Sequence, residues 1–413
     1  MSSDLRVAVA GAGLGGLCLA QGLVRAGVDV QVYERDAAPD VRRQGYRLHV
    51  DARASLALDK CLPPKLFRLF LATASQPSRK FTVLSAQLRV LHETLTDPNR
   101  DPYQPETLST SVNRGTLREI LGAGLDDRIH FGRELDEYEQ DTAGVTMHFA
   151  DGSTERADVL VGADGVHSAV RRTMLPDATV VDTGSRIIYG KTPLDDETRR
   201  LVPAALRDGF TAIIGGHIGL ATGLVELRQP PPEAAAAIAP RVRLSPTGDY
   251  LMWGVSAQHD RFPESDATMT GMDAVALHVV ASTAIRTWHP DLRALLAKAA
   301  VDETFLVRVR SAERVQPWTP SRVTLLGDAI HAMSPARGSG ANTALLDASN
   351  LCGALTGGGT DIVAAIGAYE EKMRDYGFTA VEASRQAETR TARWGNSVWL
   401  WIFNHLPKPR SRT

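Results

Sequence analysis

The chain has 413 residues, enough for two or three domains, and its 46 Lys and Arg nearly balance 48 Asp and Glu, leaving a net charge of −2. With 43% hydrophobic and 23% charged residues it is no disordered chain, and without a basic face or a dense Lys/Arg run interleaved with aromatics it is no nucleic-acid binder. No apolar run reaches membrane-spanning length, and Cys18, Cys61 and Cys352, far apart and without metal-ligand spacing, point to a reducing, cytoplasmic setting rather than a disulfide frame.

Val7–Ala10 reads as a short buried strand that runs into Gly11-Ala12-Gly13-Leu14-Gly15-Gly16 and then a helix to about Ala26. Gly11 and Gly13 allow a tight turn and close approach of backbone to a pyrophosphate, Gly16 allows the helix to pack on the strand, and the helix N-terminus through Leu14 and Gly15 offers unpaired N–H donors. A second strand, Val28–Tyr33, ends at Glu34, where an acid can accept hydrogen bonds from a ribose, with Arg35 beside it. The whole is a complete β-α-β unit with a dinucleotide-type site, and by itself it leaves NAD, NADP and FAD open. The apolar stretch Val7–Val24 belongs to the mature fold rather than to a secretory leader, because Asp4 precedes it and glycines interrupt it.

Gln44–Asp51 reads as a turn and strand with Arg47 and His49 on one face, lining a site or facing water. Pro63-Pro64 and the Pro- and Asp-rich stretch Thr96–Pro105 break the chain. Asn113 is a helix N-cap that puts Arg114 in the first turn, where a bound anion or plain solvent exposure would account for the cation. Phe149 to Asp158 turns as a hairpin at Asp151-Gly152. Val159–Gly165 is a second apolar strand ending in Asp164, which can cap the helix carrying Ser168 and Arg171. From Asp182 to Val301, strands at Arg186–Tyr189, Thr211–Ile214, Ile218–Leu227 and Tyr250–Ser256 lack β-α alternation and predict a mixed or antiparallel sheet. Pro230–Pro232 reads as a loop, Met272–Thr287 and Asp291–Ala300 as helices. Tyr189, His217, Trp253 and Gln258 are pocket candidates there, while Gly190-Lys191-Thr192 lacks the spacing of a P-loop. A third strand ends at Gly327-Asp328, and a glycine loop through Pro335 leads to a helix near Ala341 whose N-terminus can stabilise negative charge. Asp361 to about Leu406 is helical, with Trp394, Trp399, Trp401 and Phe403 near its end.

Gly11–Gly16 with Glu34, Asp164-Gly165 with Ser168 and Arg171, and Gly327-Asp328 with His331, Pro335, Gly338, Gly340, Asn342 and Asp347 resemble, in order and spacing, the motifs of FAD-dependent aromatic monooxygenases of the para-hydroxybenzoate hydroxylase type. Ile330 and Arg337 depart from the family pattern. The resemblance implies an α/β fold in which a Rossmann-type FAD-binding domain (1–75, 105–181 and 302–360) is interleaved with a mixed β-sheet substrate domain (76–104 and 182–301), followed by a C-terminal helical segment (361–413) that bridges them. It implies FAD held by Gly11, Gly13, Leu14, Gly15, Gly16, Glu34, Arg35, Arg47, Arg114, Asp164, Asp328, Gly340, Ala341 and Asn342, with Pro335 and Arg47 nearest the reacting end. NAD(P)H would reduce the flavin, O₂ would form a C4a-hydroperoxide, and an aromatic or polycyclic substrate would take one oxygen. His331 fits a structural role at its loop better than that of a base. The absence of a G-x-S-x-G elbow and of metal-ligand spacing agrees with chemistry carried by the flavin. A flavin reductase or halogenase, or a non-catalytic flavin-binding redox sensor, are the competing functions; Trp399-Leu400-Trp401-Ile402 echoes a halogenase motif but lies at the far end of the chain. A monomer or homodimer without stable membrane association is expected.

Overall fold

The computed structural model describes residues 5–39, 45–95, 101, 103–359 and 361–395, with side chains as far as Thr389. The first third of the chain holds β1 (Arg6–Ala10), α1 (Leu14–Arg25), β2 (Asp29–Glu34), β3 (Arg47–Val50), α2 (Ala52–Cys61), α3 (Pro64–Thr73), β4 (Lys80–Ser85), β5 (Val90–Leu95), β6 (Thr110–Asn113), α4 (Arg114–Gly122) and β7 (Ile129–Phe131). Next come β8 (Leu135–Gln140), β9 (Val145–Phe149), β10 (Thr154–Ala157), β11 (Val159–Gly162), α5 (Ala169–Met174), β12 (Val180–Pro193), α6 (Asp196–Leu201), β13 (Phe210–Gly215), β14 (Ile218–Val225), α7 (Pro231–Ile238) and β15 (Tyr250–Gln258). The remainder is α8 (Asp266–Thr270), α9 (Ala274–Ala284), α10 (Pro290–Ala297), β16 (Phe305–Ala312), β17 (Val323–Leu325), α11 (Asp328–His331), α12 (Gly340–Thr356) and α13 (Ile362–Gly395).

Two sheets organise these elements. Strands β17-β11-β1-β2-β7 form a parallel sheet, so β-branched and Leu residues run continuously along each strand and both faces are covered. Because every strand points the same way, the ends of β1, β2, β11 and β17 share one edge, and the order reverses between β1 and β11, where such sheets bind ligands. The second sheet, β16-β12-β15-β14-β13-β4-β5, is antiparallel except for the β4–β13 pair. Alternation splits its residues: Ile188, Leu220, Leu251, Trp253 and Val255 pack against Leu277, Val280, Leu292 and Leu295 of α9 and α10, which leaves Tyr189, Gly223 and Met252 on the opposite face. The ladder β3–β6 joins that face to the parallel sheet's edge. Helix α13 runs along both.

Several local expectations are corrected. Pro231 begins α7 instead of lying in a loop, since a proline at the first helical position forfeits only an N–H that has no helical partner. Ser168, not Asp164, is the N-cap of α5; its Oγ accepts the Arg171 N–H at 2.9 Å, while Asp164 Oδ2 accepts from Ala169 at 2.7 Å and Val170 at 3.4 Å. Cys18, Cys61 and Cys352, distant in sequence, meet where α1, α2 and α12 cross, with Cys61 against both others. The turn at Gln44, part of the Thr96–Pro105 break and the residues Trp399, Trp401 and Phe403 lie outside the described residues, as does the side chain of Trp394.

Candidate active site

Gly11 leaves β1 at φ +107°, and a Cβ there would lie 2.4 Å from the Ala163 carbonyl, so the turn is packed directly against the end of β11. Gly16 is as constrained: its Cβ would lie 2.2 Å from the Gly11 carbonyl oxygen. Gly13, by contrast, faces open space, with nothing within 4 Å of where its Cβ would be. It is the N-cap of α1 and supplies no side-chain acceptor, and the first turn holds no acid, so the N–H groups of Leu14, Gly15 and Gly16 end at that opening unmatched by any side chain. Helix α12 begins in the same way at Ser339, Gly340 and Ala341, without a side-chain cap or first-turn acid.

Glu34 fixes the turn from the side. It is buried, with Oε2 accepting the Ala12 N–H at 2.9 Å and Oε1 the Asp36 N–H at 3.0 Å. Arg118, which sequence reasoning missed, lies 3.8 Å from Oε2 and donates to the Ala12 carbonyl at 3.0 Å. Its signal was available: it follows Arg114 by one helical turn on α4. Arg35 is exposed just beyond. Asn113 caps α4 through Gly115 and Thr116, as expected, and carries Arg114 to the groove. There the Arg114 guanidinium sits over the Tyr46 ring at 5.8 Å without a side-chain hydrogen bond or ion pair among the described residues, while its backbone N–H donates to the Tyr46 carbonyl at 3.0 Å.

Asp328 is exposed to the groove, and desolvation by the protein around it pushes its carboxyl above the ordinary range against the opposing pull of His331 and Arg114. Gly340 lies beside it, 3.9 Å separating Asp328 Oδ1 from the Gly340 Cβ position. Burial likewise raises Asp164, whose Oδ1 has no partner. Arg171 ties the two strand ends together, donating to the Ala329 carbonyl at 2.7 Å and the Val166 carbonyl at 2.8 Å.

His331 does hold the loop. Burial alone would lower its pKa, but Asp347, 2.6 Å from Nε2, overcomes this and raises it. Asp347 also accepts the Gly327 N–H at 2.8 Å and the Tyr376 O–H at 2.6 Å, which locks the β17 end to α12 and α13. Asn342, expected to touch the cofactor, is buried with its amide spent on the protein: Oδ1 accepts the Asp51 N–H at 2.8 Å, and Nδ2 donates to His49 at 2.9 Å and Gly338 at 2.8 Å. Its side chain therefore shapes the loop instead of meeting a ligand. Pro335 is exposed and starts a 3-10 turn that Gly338 ends at φ +61°.

The second sheet faces this groove with an aromatic wall. Tyr46, Tyr189 and Phe305 stack with centroids 5.6 to 5.8 Å apart, and Arg47 reaches the Phe210 ring at 5.5 Å. Of the four pocket candidates only Tyr189 lies on this face. Trp253 is buried on the other, His217 is exposed at a hairpin tip, and Gln258 bonds Ser185 at 2.9 Å. Among the described residues no group of three or more His, Cys, Asp or Glu could hold a metal, and no helix is long and apolar enough to cross a membrane.

Open space before Gly13, unmatched N–H donors at two helix starts, an Asp328 open to the groove and an Arg114 guanidinium without an ion pair fit a flavin dinucleotide: donors for its phosphates, an acceptor for its hydroxyls. Comparison with known proteins agrees. An FAD binding domain model matches residues 278–384, and an NAD(P)-binding Rossmann-like domain model matches residues 9–70. The dual O-methyltransferase/FAD-dependent monooxygenase CTB3 of Cercospora beticola is 35% identical over 90% of this chain, but the chain spans only 45% of that relative's length. The 3-amino-4-hydroxybenzoate 2-monooxygenase PtnB3 of Streptomyces platensis is 28% identical, with 97% of each covered. Among solved structures, an FAD-containing monooxygenase from Photorhabdus luminescens subsp. laumondii TTO1 superposes with a TM-score of 0.79 at 32% identity, covering 93% of this chain and 98% of that one. The chain belongs to the FAD-dependent monooxygenases.

Proposed function

We propose that the protein uses FAD, NAD(P)H and O₂ to hydroxylate an aromatic or polyketide-like small molecule in the cytoplasm. The observation that carries this reading is the meeting of the anion-ready strand ends with the aromatic wall Tyr46, Tyr189 and Phe305 across one groove. A relative named for 3-amino-4-hydroxybenzoate supports an aromatic substrate, and three free buried cysteines suit a reducing compartment. In this reading residues 1–75, 105–181 and 302–360 hold the cofactor, and 76–104 with 182–301 hold the substrate.

Leu14, Gly15 and Gly16 would donate backbone N–H groups to the pyrophosphate, Arg114 would add charge, and Glu34 and Asp328 would accept from hydroxyl groups. FAD reduced by a nicotinamide supplies the activation of O₂. The chain's own part is positional. Gly340 and Ala341 present a helix start that stabilises negative charge, Pro335 fixes the loop before it, and the ring stack orients a planar substrate and excludes water. The test is to purify the protein, record its flavin absorbance, and measure substrate-stimulated NAD(P)H and O₂ consumption with ¹⁸O₂. Label in the product separates hydroxylation from reduction or halogenation; a colourless protein that cannot be reconstituted with FAD sinks the reading.

A further inference from the structure

Helix α4 buries Leu117, Ile120 and Leu121 and turns Arg114 and Arg118, one helical turn apart, to a shared side. Its far end is pinned to α1, where Gln21 Nε2 donates to the Leu121 carbonyl at 2.8 Å and to the Ala123 carbonyl at 3.0 Å. Arg118 pins the near end, and its three guanidinium nitrogens reach three separate segments. Nε donates to the Ala12 carbonyl in the glycine turn at 3.0 Å, and one terminal nitrogen donates to the Pro39 carbonyl at 2.6 Å. The other terminal nitrogen lies 3.8 Å from Glu34 Oε2 at the end of β2.

Ala12 is thereby held from both sides. Its N–H goes to Glu34 Oε2 at 2.9 Å and its carbonyl to Arg118, so the one residue between Gly11 and Gly13 has both backbone groups tied to the same acid and base. The chain beyond β2 is likewise fixed at two points, at Asp36 by the Gly132 N–H at 2.9 Å and at Pro39 by Arg118. A guanidinium placed for stability alone would close a bidentate pair with the carboxylate beside it. Arg118 stands off from Glu34 instead and gives its hydrogen bonds to the two carbonyls. Glu34 then spends one N–H on each oxygen, Ala12 on Oε2 and Asp36 on Oε1, and an ionised carboxylate has lone pairs beyond these two to offer.

We propose that Arg118 is a positioning residue for the adenosine half of FAD: acting through Ala12 and Glu34, it sets the shape of the turn that receives the pyrophosphate and keeps the Glu34 oxygens available to the ribose hydroxyls. This rests on the FAD-dependent reading above and adds a residue to its cofactor grip. The test titrates FAD into apoprotein, with dissociation constants read from flavin fluorescence, for the parent, for Arg118→Met, Arg118→Lys, Glu34→Gln and Asp328→Ala, and for Arg118→Met combined with each of the last two. Arg118→Met weakens FAD roughly 30-fold. Combined with Glu34→Gln it loses far less than the product of the two single factors, because both act on one turn and one ribose. Combined with Asp328→Ala, which follows a strand three places away in the sheet, the factors multiply. Arg118→Lys keeps part of the affinity, since one ammonium reaches one carbonyl or the other, and it carries the test if Arg118→Met loses its cooperative melting. The absorbance and midpoint potential of the bound flavin stay those of the parent in both variants, because the arginine acts at the other end of the cofactor. Three results overturn the role: FAD affinity unchanged in both Arg118 variants, factors that multiply with Glu34→Gln, or a shifted flavin potential, which would place the arginine at the ring. A yellow parent whose variants give any of these loses the role of Arg118 alone, whereas a parent that cannot take FAD loses the proposed function as well.

Discussion

Gly11 and Gly13 sit two residues apart and answer to different demands. At Gly11 both the backbone, at φ +107°, and the space, with Ala163 O 2.4 Å from a Cβ, forbid a side chain. Gly11→Ala therefore destabilises the apoprotein itself, by about 2 to 3 kcal/mol in urea unfolding. Gly13 has φ −77° and open space, so Gly13→Ala leaves apoprotein unfolding unchanged but lowers FAD affinity, because the methyl group enters the volume left for the phosphates. Equal losses of stability in the two variants would show that the space at Gly13 serves the fold and not the cofactor. Asp328→Ala makes the complementary case. Its carboxyl is held above its ordinary range by burial, so removing it costs the apoprotein nothing while flavin content after gel filtration falls. Retention of full flavin refutes the role assigned to it. Spacing alone marked these positions, but it could not show that Asn342 turns inward or that Asp164 points at α5, because partners hundreds of residues away in sequence or one turn ahead set those rotamers.

Helix α13 is the element whose start was legible and whose work was not: the sequence reads as helical from Asp361 to about Leu406, and the described helix runs from Ile362 to Gly395. Its periodicity announces a helix, but nothing in sequence says that Tyr369 reaches the Leu325 carbonyl at 2.9 Å or Tyr376 reaches Asp347 at 2.6 Å. The same holds for β4, over which the sequence predicts no element: it pairs with β13 across more than a hundred residues, a contact that no local signal encodes. One consequence of α13 docking is testable by pH. Glu370 is fully buried against Trp318 and Thr324, with no hydrogen bond closed by its carboxyl, and burial raises its pKa from 4.5 to about 7. The folded state then holds a proton that the unfolded state has released, so stability falls as pH rises from about 4.5 to 7 and stays lower above. Glu370→Gln removes that loss, worth roughly 3 kcal/mol at most, and melts higher than the parent at pH 8 but not at pH 4. A pH-independent difference between the two proteins would show that the carboxyl is not protonated in the fold. Tyr376→Phe acts differently: it breaks a hydrogen bond to a buried carboxylate and lowers stability by about 1.5 to 3 kcal/mol in denaturant unfolding.

At the scale of the whole molecule, two hydrophobic cores must answer to one cofactor. One surrounds the parallel sheet; the other lies between the second sheet and α9 and α10, and holds Trp253 and Trp288. They are stapled by α13, whose Arg385 donates to Ser311 Oγ and the Ala312 carbonyl at 3.1 Å and whose Glu388 accepts from Thr183 Oγ1 at 3.1 Å and from Ser185 Oγ. FAD held at the parallel sheet's edge stabilises the native state by mass action, about 2.7 kcal/mol at a hundredfold excess over Kd. If the staple makes folding one cooperative event, that gain must also appear where FAD itself does not bind. Fluorescence of a variant that keeps only Trp253 and Trp288 of the chain's six tryptophans, both in the second core, then melts together with far-UV dichroism, and added FAD moves both transitions upward by the same few degrees. Replacing Arg385 and Glu388 together by Ala cuts the staple without touching either core. In that variant FAD still raises the dichroism transition, while the fluorescence transition separates and no longer follows FAD concentration. Coincident, FAD-responsive melting in the double variant would place the coupling in β12 and β16 and not in the helix.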